Sequence, residues 1–395
     1  MSVSNPDHLK AEIDELVPDL VAMRRDLHEH PELAFQETRT SGIVAERLKA
    51  LGMEVQTDVA KTGVVGLLRG KTEGKTLAIR ADMDALPIHE LNALDYRSQT
   101  DGKMHACGHD GHTSILLAVA DMLSKRQAEL KGNIKFVFQP AEEDIGGARP
   151  MVEQGAMQGV DGVIGLHLFS TLPVGLVGVR AGTTFASADK FTLTVYGQGG
   201  HAAMFERAID PIAISAYIIT ALQTLTSRET SPLTPAVITI GSIQAGTAFN
   251  IIPETATLEG TMRAYSNEHR EFLMRRIGEL SAGIAASMGG SCEMERHDVN
   301  CPPCVNDPDM AALVHKAATA TVGAENVTDD ILTTGSDDMS YFLDAVPGCY
   351  FIVGARNPAK GAEYAHHNAR FNIDEDALPT AVEVLTRSAL DFLEA

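Results

Sequence analysis

Within eight residues, His105-Ala-Cys-Gly-His-Asp-Gly-His112, the chain places three histidines, a cysteine and an aspartate. A thiolate is a soft anionic ligand and a neutral imidazole a borderline one. Together they suit zinc, cobalt, manganese or nickel better than calcium or magnesium. Cys107 and His109 alternate around Gly108, so in an extended segment both side chains would point to one side. An apolar run, Ile115 to Ala120, follows and reads as a helix, which puts the cluster at a strand-to-helix junction. The cluster suggests a metalloenzyme. A Cys-x-His step could instead supply a thiol nucleophile and its base.

A two-metal hydrolytic site needs further ligands, a general base and groups that orient the ligands. Glu142 and Glu143 follow an apolar strand, Ile134 to Phe138, and the break at Pro140. Adjacent glutamates can divide labour, one binding metal and its neighbour taking a proton from water. Strand alternation would point them apart, so this division requires an irregular loop. His167 ends an apolar strand, and His366-His367 precede Phe371-Asn-Ile-Asp. Asp82 and Asp84 could orient a ligand histidine through its second ring nitrogen, or serve as a turn and helix cap. Taken singly, such residues read as structural or surface groups.

The elements that must position them alternate in type. Asp7 to about Leu51 is helical, with Pro31 as a break. Strand signals follow at Gly63–Leu68, Leu77–Ala81, Ile134–Phe138 and Gly162–Leu168, with a helix from about Gly111 to Arg126. This predicts an α/β fold with a mostly parallel sheet and helices on both faces. Ligands gather at the carboxyl ends of such strands, where Asp82, Asp84, Glu142, Glu143 and His167 are expected. From about residue 183 the order becomes β-α-β-β-α-β, a ferredoxin-like α+β module. After Asn300 come a helix (Asp309–Thr321), a strand (Cys349–Val353) and a closing helix (Ala377–Leu393). The predicted organisation is therefore a discontinuous catalytic domain, 1–182 and 297–395, interrupted by an inserted domain, 183–296.

Composition bounds the function. The 395 residues are 44% hydrophobic and 22% charged, the profile of a globular chain of about two domains. A net charge of −21 argues against a nucleic-acid or anionic-membrane partner. No apolar run approaches the ~20 residues of a membrane helix, and Met1 to His8 shows no secretory pattern. Five scattered cysteines are unlike a disulfide framework, so a reducing cytoplasm is expected.

Several segments taken in order resemble one family. They are Arg24-Arg-Asp-Leu-His-Glu-His-Pro-Glu-Leu, Arg80-Ala-Asp-Met-Asp-Ala-Leu-Pro, His105-Ala-Cys-Gly-His-Asp-Gly-His and Phe138-Gln-Pro-Ala-Glu-Glu. Gly165-Leu-His, Gly199-Gly-His-Ala-Ala-Met, Gly246-Thr-Ala-Phe-Asn-Ile-Ile-Pro-Glu and Asp374-Glu continue the series. The chain is similar to metal-dependent amidohydrolases of aminoacylase and carboxypeptidase type, in the branch of hippurate hydrolase and indoleacetyl-amino-acid hydrolases. The resemblance implies two divalent metals (manganese, zinc, cobalt or nickel) held by Cys107, His109, Glu143, His167 and His367, with Glu142 as general base. It implies that the insert is a lid and dimerisation domain, that His201 helps polarise the scissile carbonyl in a neighbouring subunit, and that Asn250 contacts substrate. The implied reaction is hydrolysis of N-acyl-L-amino acids with N-acetyl, benzoyl or arylacetyl groups. A deacetylase or dipeptidase of the same family, or a non-catalytic metal or peptide-binding homologue, is the alternative.

Three departures from the family pattern bear on substrate. Phe205-Glu206 replaces the usual Pro-His, Asp337 and Met339 stand where Glu and Phe are common, and Ala369 replaces a proline after His367-Asn368. Cys301-Pro-Pro-Cys304 invites a redox or zinc-ribbon reading, but zinc would want paired motifs and only Cys292 lies near.

Overall fold

The structure, a computed structural model, describes residues 6–143 and 146–394. The chain forms two compact units. One comprises Met1–Thr184, Val305–Leu332 and Asp338–Ala395, the other Phe185–Cys304 with Thr333–Asp337. Among the described residues no helix is long and apolar enough to cross a membrane.

The first unit opens with helices α1 (Pro6–Glu29) and α2 (Thr38–Ala50) and strands β1 (Glu54–Val59), β2 (Gly63–Arg69) and β3 (Thr72–Asp82). Helix α3 (His109–Ser124), β4 (Lys131–Gln139) and β5 (Gly162–Pro173) follow. In β3, Leu77, Ala78 and Ile79 are all fully buried, the unbroken apolar run of a strand covered on both faces. The eight-stranded sheet has the order β1-β2-β4-β3-β5, then Gly348–Arg356, Val177–Gly178 and Val327–Thr328. Its centre is parallel: β4-β3, β3-β5 and β5-Gly348–Arg356. The β1-β2 and β2-β4 pairs are antiparallel. Helices cover both faces. Gly165 of β5 faces Met339 beside helix Ser340–Ala345, whereas its neighbours Ile164 and Leu166 join the core shared with helix Ala377–Glu394.

The strand order reverses about β3, which has β4 on one side and β5 on the other. Such a reversal opens a crevice at the carboxyl ends of the strands. The β3–β5 pairing stops at Arg80↔Gly165, and β5 runs on past it. His167 therefore lies within β5 rather than at its end, two residues beyond that last pair.

The second unit is a four-stranded antiparallel sheet ordered Val237–Ala245, Thr255–Arg263, Ala188–Tyr196, Ser291–Cys301. Helices Pro211–Thr224 and Asn267–Ser287 complete the ferredoxin-like order. Each helix starts where the sequence offers a cap: Asp210 accepts from Ile212 and Ala213 N–H, and Ser266 from His269 N–H. The unit has its own apolar core, including Phe191, Leu193, Ile218, Leu258 and Ile277.

Candidate metal centre

The site begins where β3 ends and α3 starts. Gly108 caps α3 with φ +95°, a left-handed conformation that a side chain would strain. His109 is therefore the first helical residue, and the expected extended Cys-Gly-His segment is replaced by a sharp turn into the helix. That turn still brings Cys107 and His109 to one cluster. Gly111 lets α3 approach β5, since a Cβ there would meet Leu168 Cδ1 at 2.6 Å.

Two donor triads share one thiol. Cys107, His109 and His167 form one, Cys107, Glu143 and His367 the other, with ligand atoms in each within 4.8 Å of one another. His109 Nδ1 donates to the Asp84 carbonyl at 2.9 Å, and His167 Nδ1 to the Leu168 carbonyl at 2.9 Å. Each histidine thus turns its Nε2 to the cluster, the nitrogen that would bind a metal once deprotonated. His167 Nε2 lies 3.4 Å from Cys107 Sγ, and Glu143 Oε1 lies 3.2 Å from His367 Nε2 and 3.9 Å from His109 Nε2. His367 itself sits at φ +64°, uncommon for a residue with a side chain.

The Glu142–Glu143 pair stands on the irregular turn it needs. Ala141 has φ +52°, and the Asp84 carboxylate accepts from both following amides, Glu142 N–H at 3.0 Å and Glu143 N–H at 3.1 Å. Asp84 so serves His109 through its carbonyl and the glutamates through its carboxylate. Asp82 does something else: its Oδ1 accepts from His112 Nδ1 at 2.6 Å and lies 3.8 Å from His109 Nδ1. His112 Nε2 in turn accepts from Leu168 N–H at 2.9 Å. Both nitrogens of His112 are engaged, so it ties β3 to β5 and is unavailable as a ligand. Asp82 therefore orients His112 in place of a candidate ligand.

Electrostatics test whether the donors fit a cation. Burial opposes charge on His109, but Asp82, Asp84 and Glu143 carry its pKa up to about 10. Burial, then Glu143 and Glu142, push the Cys107 thiol well above its ordinary value. Burial and the charges of His112 and His366 depress His167. His109 Nε2 is buried with no hydrogen-bond partner, and it faces Glu143 Oε1 at 3.9 Å. Carboxylates dense enough to draw a proton onto His109, and a buried imidazole nitrogen left unbonded, fit a bound divalent cation.

Some supporting residues were not singled out in the sequence. Arg80, fully buried, binds Asp82 at 2.6 Å, Asp338 at 3.2 Å and Gln139 at 2.7 Å. A charged residue inside an apolar strand is the signal that could have found it, since burial demands a partner. In the second unit, His201 and Asn250 are brought together. Strand Gly200–His201 pairs with Ile251–Ile252, and the Asn250 carbonyl accepts from Ala202 N–H at 3.1 Å. The His201 ring is exposed and accepts from Ala203 N–H. Phe205 and Glu206 follow as exposed residues of the same corner. Met339 is buried, Cys301 and Cys304 are not joined in a disulfide, and the Cys304 thiol donates to the Asp337 carbonyl at 3.3 Å.

A parallel-centred sheet with a thiol, imidazoles and carboxylates at its switch point, in a chain that also folds a ferredoxin-like module, defines a metal-dependent hydrolase with catalytic and accessory domains. The family model for peptidase family M20/M25/M40 matches residues 78–391, and the chain belongs to that family. It is 40% identical to thermostable carboxypeptidase 1 of Saccharolobus solfataricus, over 94% of this chain and 95% of that one. It is 40% identical to N-acetylcysteine deacetylase of Bacillus subtilis, over 95% and 97%. The IAA-amino acid hydrolase ILR1-like 2 of Arabidopsis thaliana is 37% identical over 97% and 87%. Among solved structures, Bacillus subtilis YXEP protein, a dinuclear metal binding peptidase from the M20 family, superposes with TM-score 0.86 at 36% identity, covering 97% of this chain and 99% of that one. The chain is a metal-dependent amide hydrolase of this family.

Proposed function

We propose that this protein hydrolyses the amide bond of N-acyl-L-amino acids with N-acetyl, benzoyl or arylacetyl groups, releasing a carboxylic acid and an amino acid. The observation that carries this reading is the pair of donor triads sharing Cys107, with Glu142 on the adjoining strapped turn. Relatives named for N-acetylcysteine and for IAA-amino acid conjugates support it, since both substrates join an acyl group to an amino acid. A peptide substrate is the second reading, favoured by the equally similar carboxypeptidase.

Cys107, His109, Glu143, His167 and His367 would hold two divalent ions, manganese, zinc, cobalt or nickel. When bound, such ions make water a nucleophile near neutral pH and polarise the carbonyl. Glu142 takes the proton of the attacking water and returns it to the departing amine. Cys107 acts as ligand and not as nucleophile, because burial beside two glutamates keeps its thiol protonated until a cation compensates. In the same reading His201 of the partner subunit and Asn250 engage the substrate, and the second unit serves as lid and dimerisation domain. A reducing, cytoplasmic setting suits five cysteines that form no disulfide.

A hydrolysis panel tests the substrate class: N-acetyl, N-benzoyl and indoleacetyl amino acids against short dipeptides, with each metal supplied. Turnover of at least one N-acyl series above the dipeptides is expected. Preference for dipeptides would replace the reading with a peptidase.

A further inference from the structure

Glu37 immediately precedes α2, at the helix cap position, yet its side chain makes no capping bond. That work falls to Glu32, whose two carboxylate oxygens accept from Arg39 N–H at 2.9 Å and Thr40 N–H at 2.8 Å. Glu37 is thereby freed to turn inward, where it is fully buried. Its Oε1 accepts from Ala141 N–H at 2.9 Å and its Oε2 from the Thr62 hydroxyl at 2.5 Å. With Asp84, three consecutive amides, Ala141, Glu142 and Glu143, are each held by a buried carboxylate.

The backbone around this bond is strained. Among the described residues six without glycine's freedom have positive φ; four of them lie in the loops that Glu37 joins, and a fifth, Asp58, lies at the end of β1 that leads into one of those loops. These five are Phe35 (57°), Asp58 (60°), Ala60 (49°), Lys61 (75°) and Ala141 (52°). Such strain persists only where surrounding contacts impose it, and it concentrates at functional sites. Burying a carboxylate on a hydroxyl and an amide is also costly: burial above all, with Asp84 adding to it, raises the Glu37 carboxyl from its ordinary range. An apolar side chain of the same length would fill this space without that cost. What it could not do is hold the Ala141 amide.

We propose that Glu37 is a positioning residue for catalysis: by binding Ala141 N–H and Thr62 Oγ1 it fixes the left-handed turn that presents Glu142. This rests on the assignment of Glu142 as general base. Displacing a base by about 1 Å can cost about 100-fold in rate.

The test compares Glu37→Met, Glu37→Gln and Thr62→Val in the metal-loaded full chain with Glu142→Gln. Glu37→Met keeps volume but loses the acceptor, so kcat should fall by about 10- to 100-fold with KM and metal content nearly unchanged. Hydrogen exchange in the peptide around Ala141 should quicken. Glu37→Gln retains an acceptor for the amide and can donate to Thr62, so its kcat should stay near that of the parent. Thr62→Val should lower kcat less than Glu37→Met, and it decides the matter if Glu37→Met fails to fold. An unchanged kcat in folded, metal-replete Glu37→Met or, failing that, in Thr62→Val overturns the positioning role. Equal loss in Glu37→Gln and Glu37→Met also overturns it. If Glu142→Gln is inactive while Glu37→Met is not, only the positioning claim falls. If Glu142→Gln keeps its turnover, the base assignment falls and the positioning role with it.

Discussion

His109 and His167 each carry one ring nitrogen already claimed by a backbone carbonyl, and this fixes which nitrogen faces the cluster. Glu142 and Glu143, neighbours in sequence, sit on one turn strapped by Asp84 and Glu37, and the proposed function gives them separate tasks. The division of labour has a direct consequence. Glu142→Ala should lower turnover by about 10²- to 10⁴-fold with metal content nearly intact. Cys107→Ala should lower metal content itself, because its thiol belongs to both triads. Elemental analysis of the two purified variants distinguishes the tasks, and equal metal loss in both contradicts them. At this scale the sequence made Cys107 and His109 legible, since two metal-binding side chains stand two positions apart. It could not separate His112 from them. What removes His112 is a pair of bonds to Asp82 and Leu168, 30 and 56 positions away.

At the scale of elements, the start of α3 is held from α1. Arg24 Nε lies 2.9 Å from Asp110 Oδ2, and His28 Nδ1 lies 2.7 Å from the same oxygen, all within the core. Burial and Arg24 oppose charge on His28, yet Asp110 and Glu90 outweigh them and its pKa is raised. Asp110 is lowered: burial opposes its charge, but Arg24 and His28 prevail. The signs fix a window. The raised His28 stabilises the fold below its ordinary value of about 6.5, and this contribution fades as pH rises through the folded pKa. The lowered Asp110 contributes above about 3.8 and loses that as pH falls. The Tm difference between the parent and His28→Ala should therefore be largest between about pH 4 and 6.5 and shrink at higher pH. A gap that widens steadily toward pH 9 contradicts the ion pair. The strands and helices around this pair were legible from their periodicity, and the ferredoxin-like order from alternation of two periods. Strand β1 was not: Glu54-Val-Gln-Thr-Asp-Val is mostly exposed at a sheet edge, and only Val55 and Val59 turn to the core. The sequence places the start of α3 two residues late, at about Gly111, because the left-handed Gly108 caps it without a conventional capping side chain.

At the scale of the molecule, the candidate ligands run from Cys107 to His367, and only the sheet unites them. β3 and β4 deliver the turns that bear Asp84 and the glutamates, β5 delivers His167, and the segment after Gly348–Arg356 delivers His367. Chain order hides this convergence, which is why His167 and His367 read singly as ordinary histidines. Cations binding the folded site alone would also stabilise the whole chain, by about 2.7 kcal/mol at a hundred times Kd. Chelation should accordingly lower Tm, and restoring the ions should raise it again. The decisive measurement is a titration of fully chelated protein with manganese, zinc, cobalt or nickel, following hydrolysis of its best N-acyl amino acid. The expected result is no turnover without metal and full recovery at about two ions per chain, the stoichiometry of a dinuclear site. Turnover that survives complete chelation would contradict the metal-dependent mechanism.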